Sequence, residues 1–234
     1  MLKKRREQVM SLIIGSKPAH FKNRKQAGIL LGEKLKYLTD KNPVVLAIPR
    51  GGVIIGREIA LKLNAEIDLI ITKKIGAPDN PEFAIGAVSE NGAVYLNEDL
   101  ISRSGISQKY IEEEIKRQSE NLRERGELFS KYRKRITVRR KLVIITDDGI
   151  ATGATMVSAI NCIKMQEPQS IFIALPVGPP ETIDFLSGMV NCVVCLLTPE
   201  IFMAVGEFYE DFDQIDDSEV IEILKEFYSK KDKI

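Results

Sequence analysis

Asp147 and Asp148 stand side by side after the apolar run Val143-Ile144-Ile145-Thr146 and before Gly149-Ile150-Ala151-Thr152-Gly153-Ala154-Thr155. An apolar strand that ends in acids and passes through a small-residue loop into a helix marks a place for a ligand, because parallel sheets bind ligands at the carboxyl ends of their strands. Ala151, Thr152, Gly153, Ala154 and Thr155 leave backbone amides uncovered at the helix start. With the helix dipole behind them, such amides cradle a phosphate, and the two threonine hydroxyls add donors. Carboxylates beside that cradle suit a neutral polyol or a metal ion and would repel a second phosphate. The segment contains neither Gly-x-x-x-x-Gly-Lys-Ser/Thr nor a Gly-x-Gly-x-x-Gly opening a helix, so neither common nucleotide fingerprint applies.

A second cluster is Ile48-Pro49-Arg50-Gly51-Gly52, which breaks another apolar run. Gly51 and Gly52 let the backbone approach an anion closely, and Arg50 carries a fixed fork of donors. Alone, the segment reads more readily as a strand-to-helix turn, and the anion reading gains weight only beside the first motif. Lys73 and Lys74 end the next apolar run, either as a solvated pair or as further cations for an anion.

These residues need elements to position them. Ala27, Leu30, Leu31, Leu35 and Leu38 recur at helical spacing and predict a helix over 24–38. Apolar runs at 44–48, 142–146, 171–175 and 192–197, and the run 67–72 in which Asp68 is embedded, predict buried strands. Further helices are expected at 53–63, after the 147–153 loop to about 165, and at 218–228. A long polar helix over 108–132 carries a sparse seam of Ile111, Ile115, Leu122 and Phe129. Short alternating pieces at 83–88 and 93–96, joined by Asn91-Gly92, predict a hairpin. The apolar stretch 9–14 is too short for a signal-peptide core or a membrane span and is read as a short docking helix. Strands alternating with helices give the expected class, α/β with a mainly parallel central sheet flanked by helices. The expected organisation is an N-terminal extension over 1–20 and a single domain over 21–234.

Four apolar residues, two acids, a short loop and Thr-Gly-x-Thr over 143–155 resemble the ribose-phosphate signature of the type I phosphoribosyltransferases. The stretches 74–88, 146–156 and 198–206 resemble in particular the bacterial and archaeal phosphoribosyltransferase group whose acceptor is unassigned, with similarity over about 21–224. The resemblance implies a Rossmann-like fold with a hairpin-containing lid over about 75–107 and a small hood from the termini. It implies transfer of the 5-phosphoribosyl group of 5-phosphoribosyl-1-pyrophosphate (PRPP) to a small nitrogenous acceptor, expected to be a nucleobase. Pyrophosphate is released and Mg²⁺ is the expected cofactor.

In that scheme Asp147 and Asp148 bind the ribose hydroxyls and stabilise developing positive charge, directly or through Mg²⁺. Ala151, Thr152, Gly153, Ala154 and Thr155 hold the 5-phosphate. Arg50, Gly51, Gly52, Lys73 and Lys74 hold the pyrophosphate, and Arg50 and Lys74 count with the two acids as catalytic. No metal is expected to be held by the protein alone. Ala151 stands where hypoxanthine–guanine enzymes carry an Asp serving the purine N7, which disfavours a 6-oxopurine handled in that way. Glu82 and Glu90 on the lid are the candidates for a general base. A non-catalytic protein sensing PRPP or nucleotides is the alternative on the same fold, and PRPP synthesis ranks behind both. Family members are often homodimers.

Composition narrows the partners. Across 234 residues, 34 Lys and Arg stand against 33 Asp and Glu, so no global charge draws the chain to nucleic acid or an acidic membrane. A hydrophobic fraction of 44% with 29% charged residues excludes disorder. The single histidine, His20, excludes a multi-His zinc site, and with Phe21-Lys22-Asn23-Arg24 it belongs to a segment able to hood the site. Cys162, Cys192 and Cys195 make no even disulfide framework, so a reducing cytoplasm is expected. Cys192 and Cys195, three apart in a strand, should point to opposite faces. Lys131, Arg133, Lys134, Arg135, Arg139, Arg140 and Lys141 read as a solvated connector, with phosphate steering or RNA contact as the lesser reading.

Overall fold

Runs of β-branched residues without polar alternation are satisfied only by strands covered on both faces, and the computed structural model gathers these runs into one sheet. Residues 10–13, 20–78 and 80–231 are described. The first half contains β1 (Met10–Ile13), α1 (Arg24–Leu35), β2 (Val44–Ala47), α2 (Gly52–Leu63), β3 (Glu66–Leu69), β4 (Thr72–Ala77), β5 (Asn80–Ser89) and β6 (Val94–Leu96). There follow α3 (Glu98–Ser104), α4 (Gln108–Ser130), β7 (Leu142–Thr146), α5 (Ala154–Lys164), β8 (Ser170–Val177), α6 (Pro180–Ser187), β9 (Cys192–Leu197) and α7 (Asp217–Lys231).

The main sheet has the order β1-β9-β8-β7-β2-β3, parallel throughout. Period-two alternation divides its side chains between two cores. Val45, Ala47, Ile144 and Val194 face α1, α2 and α7. Val44, Leu46, Val143, Ile145 and Val193 face α5 and α6. Cys192 belongs to the first core and Cys195 to the second, as their spacing requires.

Two expectations are corrected. The run 67–72 is not one strand: β3 stops at Leu69, and Thr72 opens β4 in a separate antiparallel sheet of order β4-β5-β6. Both partners are buried, so the apolar run carries no mark of the change. The stretch 9–14 is not a docking helix within its described part, since Met10–Ile13 pairs in parallel with Cys192–Cys195. Its apolar residues are contiguous rather than spaced by three and four, and its backbone covers the edge that β9 would leave open.

The hairpin forms where Asn91-Gly92 predicts it, with Gly92 at φ 83° and the Ser89 amide donating to the Ala93 carbonyl at 2.9 Å. The segment expected as a lid is thus built of strands and α3, with Ile75, Ile85 and Val88 in the first core. α4 packs its buried seam of Ile111, Leu122, Gly126 and Phe129 beneath it, and Tyr110 Oη donates to the Gly76 carbonyl at 3.0 Å. No helix among the described residues is long and apolar enough to cross a membrane.

Candidate active site

β7, β2 and β3 are neighbours, so the loops leaving their carboxyl ends meet. The Ile48 amide donates to the Thr146 carbonyl at 2.9 Å and the Ile70 amide to the Ala47 carbonyl at 3.0 Å, extending the pairing past the strand ends. The loop from β2 contains a cis peptide between Pro49 and Arg50 and enters α2 at Gly52. A Cβ at Gly51 would overlap the Asp148 carboxylate and stand 2.9 Å from Arg24 Nε. One at Gly52 would stand 2.9 Å from Asp147 Cα. The glycines sit against the acids because neither carries a side chain.

The two acids differ in surroundings. Asp147 Oδ1 accepts from the Asp148 amide at 2.8 Å. Burial, and then the neighbouring Asp148 carboxylate, push the Asp147 carboxyl well above the ordinary range. Asp148 Oδ2 accepts from Arg24 Nε at 2.7 Å, with the two side chains 16% and 8% exposed. Arg24 Nη1 donates to the Asp213 carbonyl at 2.8 Å, and its guanidinium lies 3.7 Å from the Phe212 ring centroid.

Local structure explains how Arg24 arrives there. Asn23 caps α1 by accepting from the Gln26 amide at 3.0 Å, which fixes Arg24 as the first helical residue. Phe21 is buried and exchanges backbone bonds of 2.8 Å with Phe208 and Glu210. Tyr209 Oη closes the arrangement by donating to the Asp148 carbonyl at 2.6 Å. The residues 20–24 and 205–215 therefore form the hood over Asp148, with exposed His20 stacked on Phe208.

The proposed phosphate cradle sits at the start of α5. Gly153 is its N-cap at φ 73°, without a side-chain cap bond, and Ala151, Thr152, Ala154 and Thr155 are exposed. The first amides of a helix have no partner within it, so this turn presents donors outward. Thr182 Oγ1 steadies the loop by donating to the Ala151 carbonyl at 2.8 Å.

Two clefts of about 460 Å³ each flank these loops. Ala154, Thr155, Pro49, Lys73, Lys74 and Arg125 line the first. Arg24, Arg50, Gly51, Asp148 and Phe212 line the second. Lys73 and Lys74 thus share a cleft with the cradle, whereas Arg50 faces the hood, with Nη1 3.9 Å from Asp217 Oδ1. Among the described residues, no group of three or more His, Cys, Asp or Glu is placed to hold a metal ion.

A family model described as phosphoribosyl transferase domain matches residues 22–212. The chain belongs to the phosphoribosyltransferase family. Two Mycobacterium tuberculosis proteins, from strains CDC 1551 and H37Rv, carry the name "putative phosphoribosyl transferase" and are 37% identical to it over 204 residues. The match covers 87% of this chain and 46% of theirs, so the chain spans about half the length of those relatives. The crystal structure of TT1426 from Thermus thermophilus superposes with a TM-score of 0.83 at 39% identity, covering 89% of this chain and 99% of that one.

Other expectations change with the structure. Glu90 is not an available base: its carboxylate is buried and pairs with Arg133 Nη2. The side chain of Glu82 lies outside the described residues. The basic connector is not simply solvated, because Arg133 is buried between Asp68 and Glu90, Arg139 pairs with Glu167 at 2.9 Å, and Lys141 pairs with Glu66 at 3.3 Å. Arg24 and Arg125 join the site from outside any local motif. The hood-forming segment pointed towards Arg24. Nothing in the spacing around Arg125 announced a ligand.

Proposed function

We propose that the chain transfers the 5-phosphoribosyl group of PRPP to a nitrogenous acceptor, with a nucleobase the favoured class, and releases pyrophosphate. The observation that carries this reading is the contact of Gly51 with Asp148 beside the α5 cradle. Across it, the glycine turn that follows β2 meets the acids that precede the cradle after the adjacent strand β7. The acceptor nitrogen attacks C1, the bond from C1 to the pyrophosphate oxygen breaks, and pyrophosphate leaves with the electron pair.

The 151–155 loop would bind the 5-phosphate, and that remote binding would orient C1. Asp147 and Asp148 would accept from the ribose hydroxyls and stabilise positive charge developing on the sugar. Lys73 and Lys74 would offset the charge of the leaving pyrophosphate, and Arg50 would join them on turning from the hood. Two adjacent carboxylates suit a hard cation that takes its remaining oxygens from a substrate. Asp147 and Asp148 would hold Mg²⁺, which would supply further charge neutralisation when bound with PRPP. Ala151 offers no acceptor side chain at the loop, which favours acceptors other than 6-oxopurines. Three free, buried cysteines accord with a reducing cytoplasm.

The test is a screen of nucleobases and small amines with Mg-PRPP, read by pyrophosphate release. Turnover with one acceptor class is the expected result. Tight PRPP binding with no turnover on any acceptor would instead favour a sensor on the same fold.

A further inference from the structure

α4 contributes a cation to the cradle-side cleft that neither glycine-rich turn supplies. Arg125 lines that cleft with Lys73, Lys74 and Thr155, and among the described residues its lining contains no carboxylate. Basic residues on an exposed helix are commonly neutralised at spacings of three and four, and α4 follows that rule elsewhere. Arg117 pairs with Glu114, and Arg123 with Glu127 at 3.5 Å. At the same spacings from Arg125 stand Asn121, Leu122, Leu128 and Phe129, none of them acidic. Among the described residues Arg125 enters no ion pair.

Its position on the helix explains its direction. Leu122, Gly126 and Phe129 form the buried seam of α4, and Arg125 lies on the flank of that seam, half-buried. Arg125 thus lines the cleft together with Thr72, Lys73 and Lys74 of β4. It brings there a cation without an ion-pair partner among the described residues, and its field attracts an anion. The cleft also opens onto the first turn of α5, whose uncovered amides add positive potential. At about 460 Å³ it has room for a group larger than a single phosphate.

We infer that Arg125 is an anion-binding residue of this cleft, recognising the pyrophosphate end of the donor together with Lys73 and Lys74. The inference rests on the PRPP reading and adds to it a residue from a helix more than 50 positions downstream of the lysines. A planar fork of five donors suits two linked phosphates better than a point charge does.

Calorimetric titration of the full chain with magnesium pyrophosphate, and separately with ribose 5-phosphate, tests it in the wild type, Arg125→Gln and Arg125→Lys. Arg125→Gln should weaken pyrophosphate by about 10- to 100-fold, with Arg125→Lys between it and wild type. Ribose 5-phosphate should bind all three proteins alike. Unchanged pyrophosphate affinity in Arg125→Gln overturns the inference and leaves the PRPP reading standing. Equal loss of both ligands also overturns it, because damage to the fold would act on both. Failure of the wild type to bind pyrophosphate, ribose 5-phosphate or PRPP sinks the PRPP reading itself.

Discussion

Arg24 donates its Nε proton to Asp148 Oδ2 at 2.7 Å, so the acid at the mouth of the hood is already paired with a cation from the far end of the chain. The same guanidinium bonds the Asp213 carbonyl and covers Phe212, tying the two halves of the hood together through one side chain. Truncating one partner of a mostly buried pair leaves the other charge stranded. Arg24→Ala should therefore lower stability by about 3 kcal/mol in urea unfolding. Arg24→Lys should recover only part, since an ammonium cannot match the two directions of the fork. A loss for Arg24→Ala inside the error of the measurement would show that the pair has no structural weight.

The acids should separate chemistry from phosphate binding. Replacing Asp147 and Asp148 together with Asn is expected to lower turnover by at least about 100-fold. Affinity for inorganic phosphate should stay within about twofold, because the 151–155 amides are untouched. Wild-type turnover in the double variant would remove both residues from the mechanism.

The raised Asp147 carboxyl should make the stability of the protein sensitive to pH. A carboxyl whose pKa is raised on folding binds more protons folded than unfolded, so stability falls as pH rises from the ordinary value of 3.8 through the folded value. The faces around it carry Asp148, which raises it further, and Arg24, which opposes the rise. Asp147→Asn should melt with the wild type below that window and above the wild type at neutral pH. The gap in Tm would be about 2–4 °C for each kcal/mol relieved. Melting curves for the two proteins that stay parallel across the range would contradict the assignment.

Gly51 offers a test of the contact between the two turns. A methyl group there meets the Asp148 carboxylate and the Arg24 guanidinium. Gly51→Ala should cost about 1–3 kcal/mol through overpacking and reduce affinity for pyrophosphate. The outcome that sinks this is a variant with wild-type stability and wild-type pyrophosphate binding, read by thermal melting and calorimetry.

What the chain displays locally and what it hides follow from where information about burial resides. Leu142–Thr146 and Cys192–Leu197 are bounded as their apolar runs suggest, since each is covered on both faces from end to end. Asp147, Asp148 and the 151–155 loop were legible because one continuous segment carries strand, acids and cradle. The break between Leu69 and Thr72 was not, since a strand can change sheets without changing polarity. The short α3 and α6 were also missed, although Asn97 caps the one and Pro180 opens the other. Arg24 and Arg125 become meaningful only through tertiary convergence, one on Asp148 and one beside Lys73 and Lys74. Glu90 read as a candidate base and Arg133 as part of a solvated connector, because nothing near either names the buried partner.

The pairing of β1 with β9 bears on the order in which this chain is assembled. Met10–Ile13 leaves the ribosome well before its partner Cys192–Cys195, which emerges roughly 180 residues later. Phe21 waits as long for Tyr209, and Arg24 for Asp213. Vectorial synthesis thus cannot complete this domain from its beginning, and closing such long loops slows folding. The nascent N-terminal segment must travel unpaired until almost the whole sheet exists, and the hood over Asp148 is among the last parts of the molecule to be made.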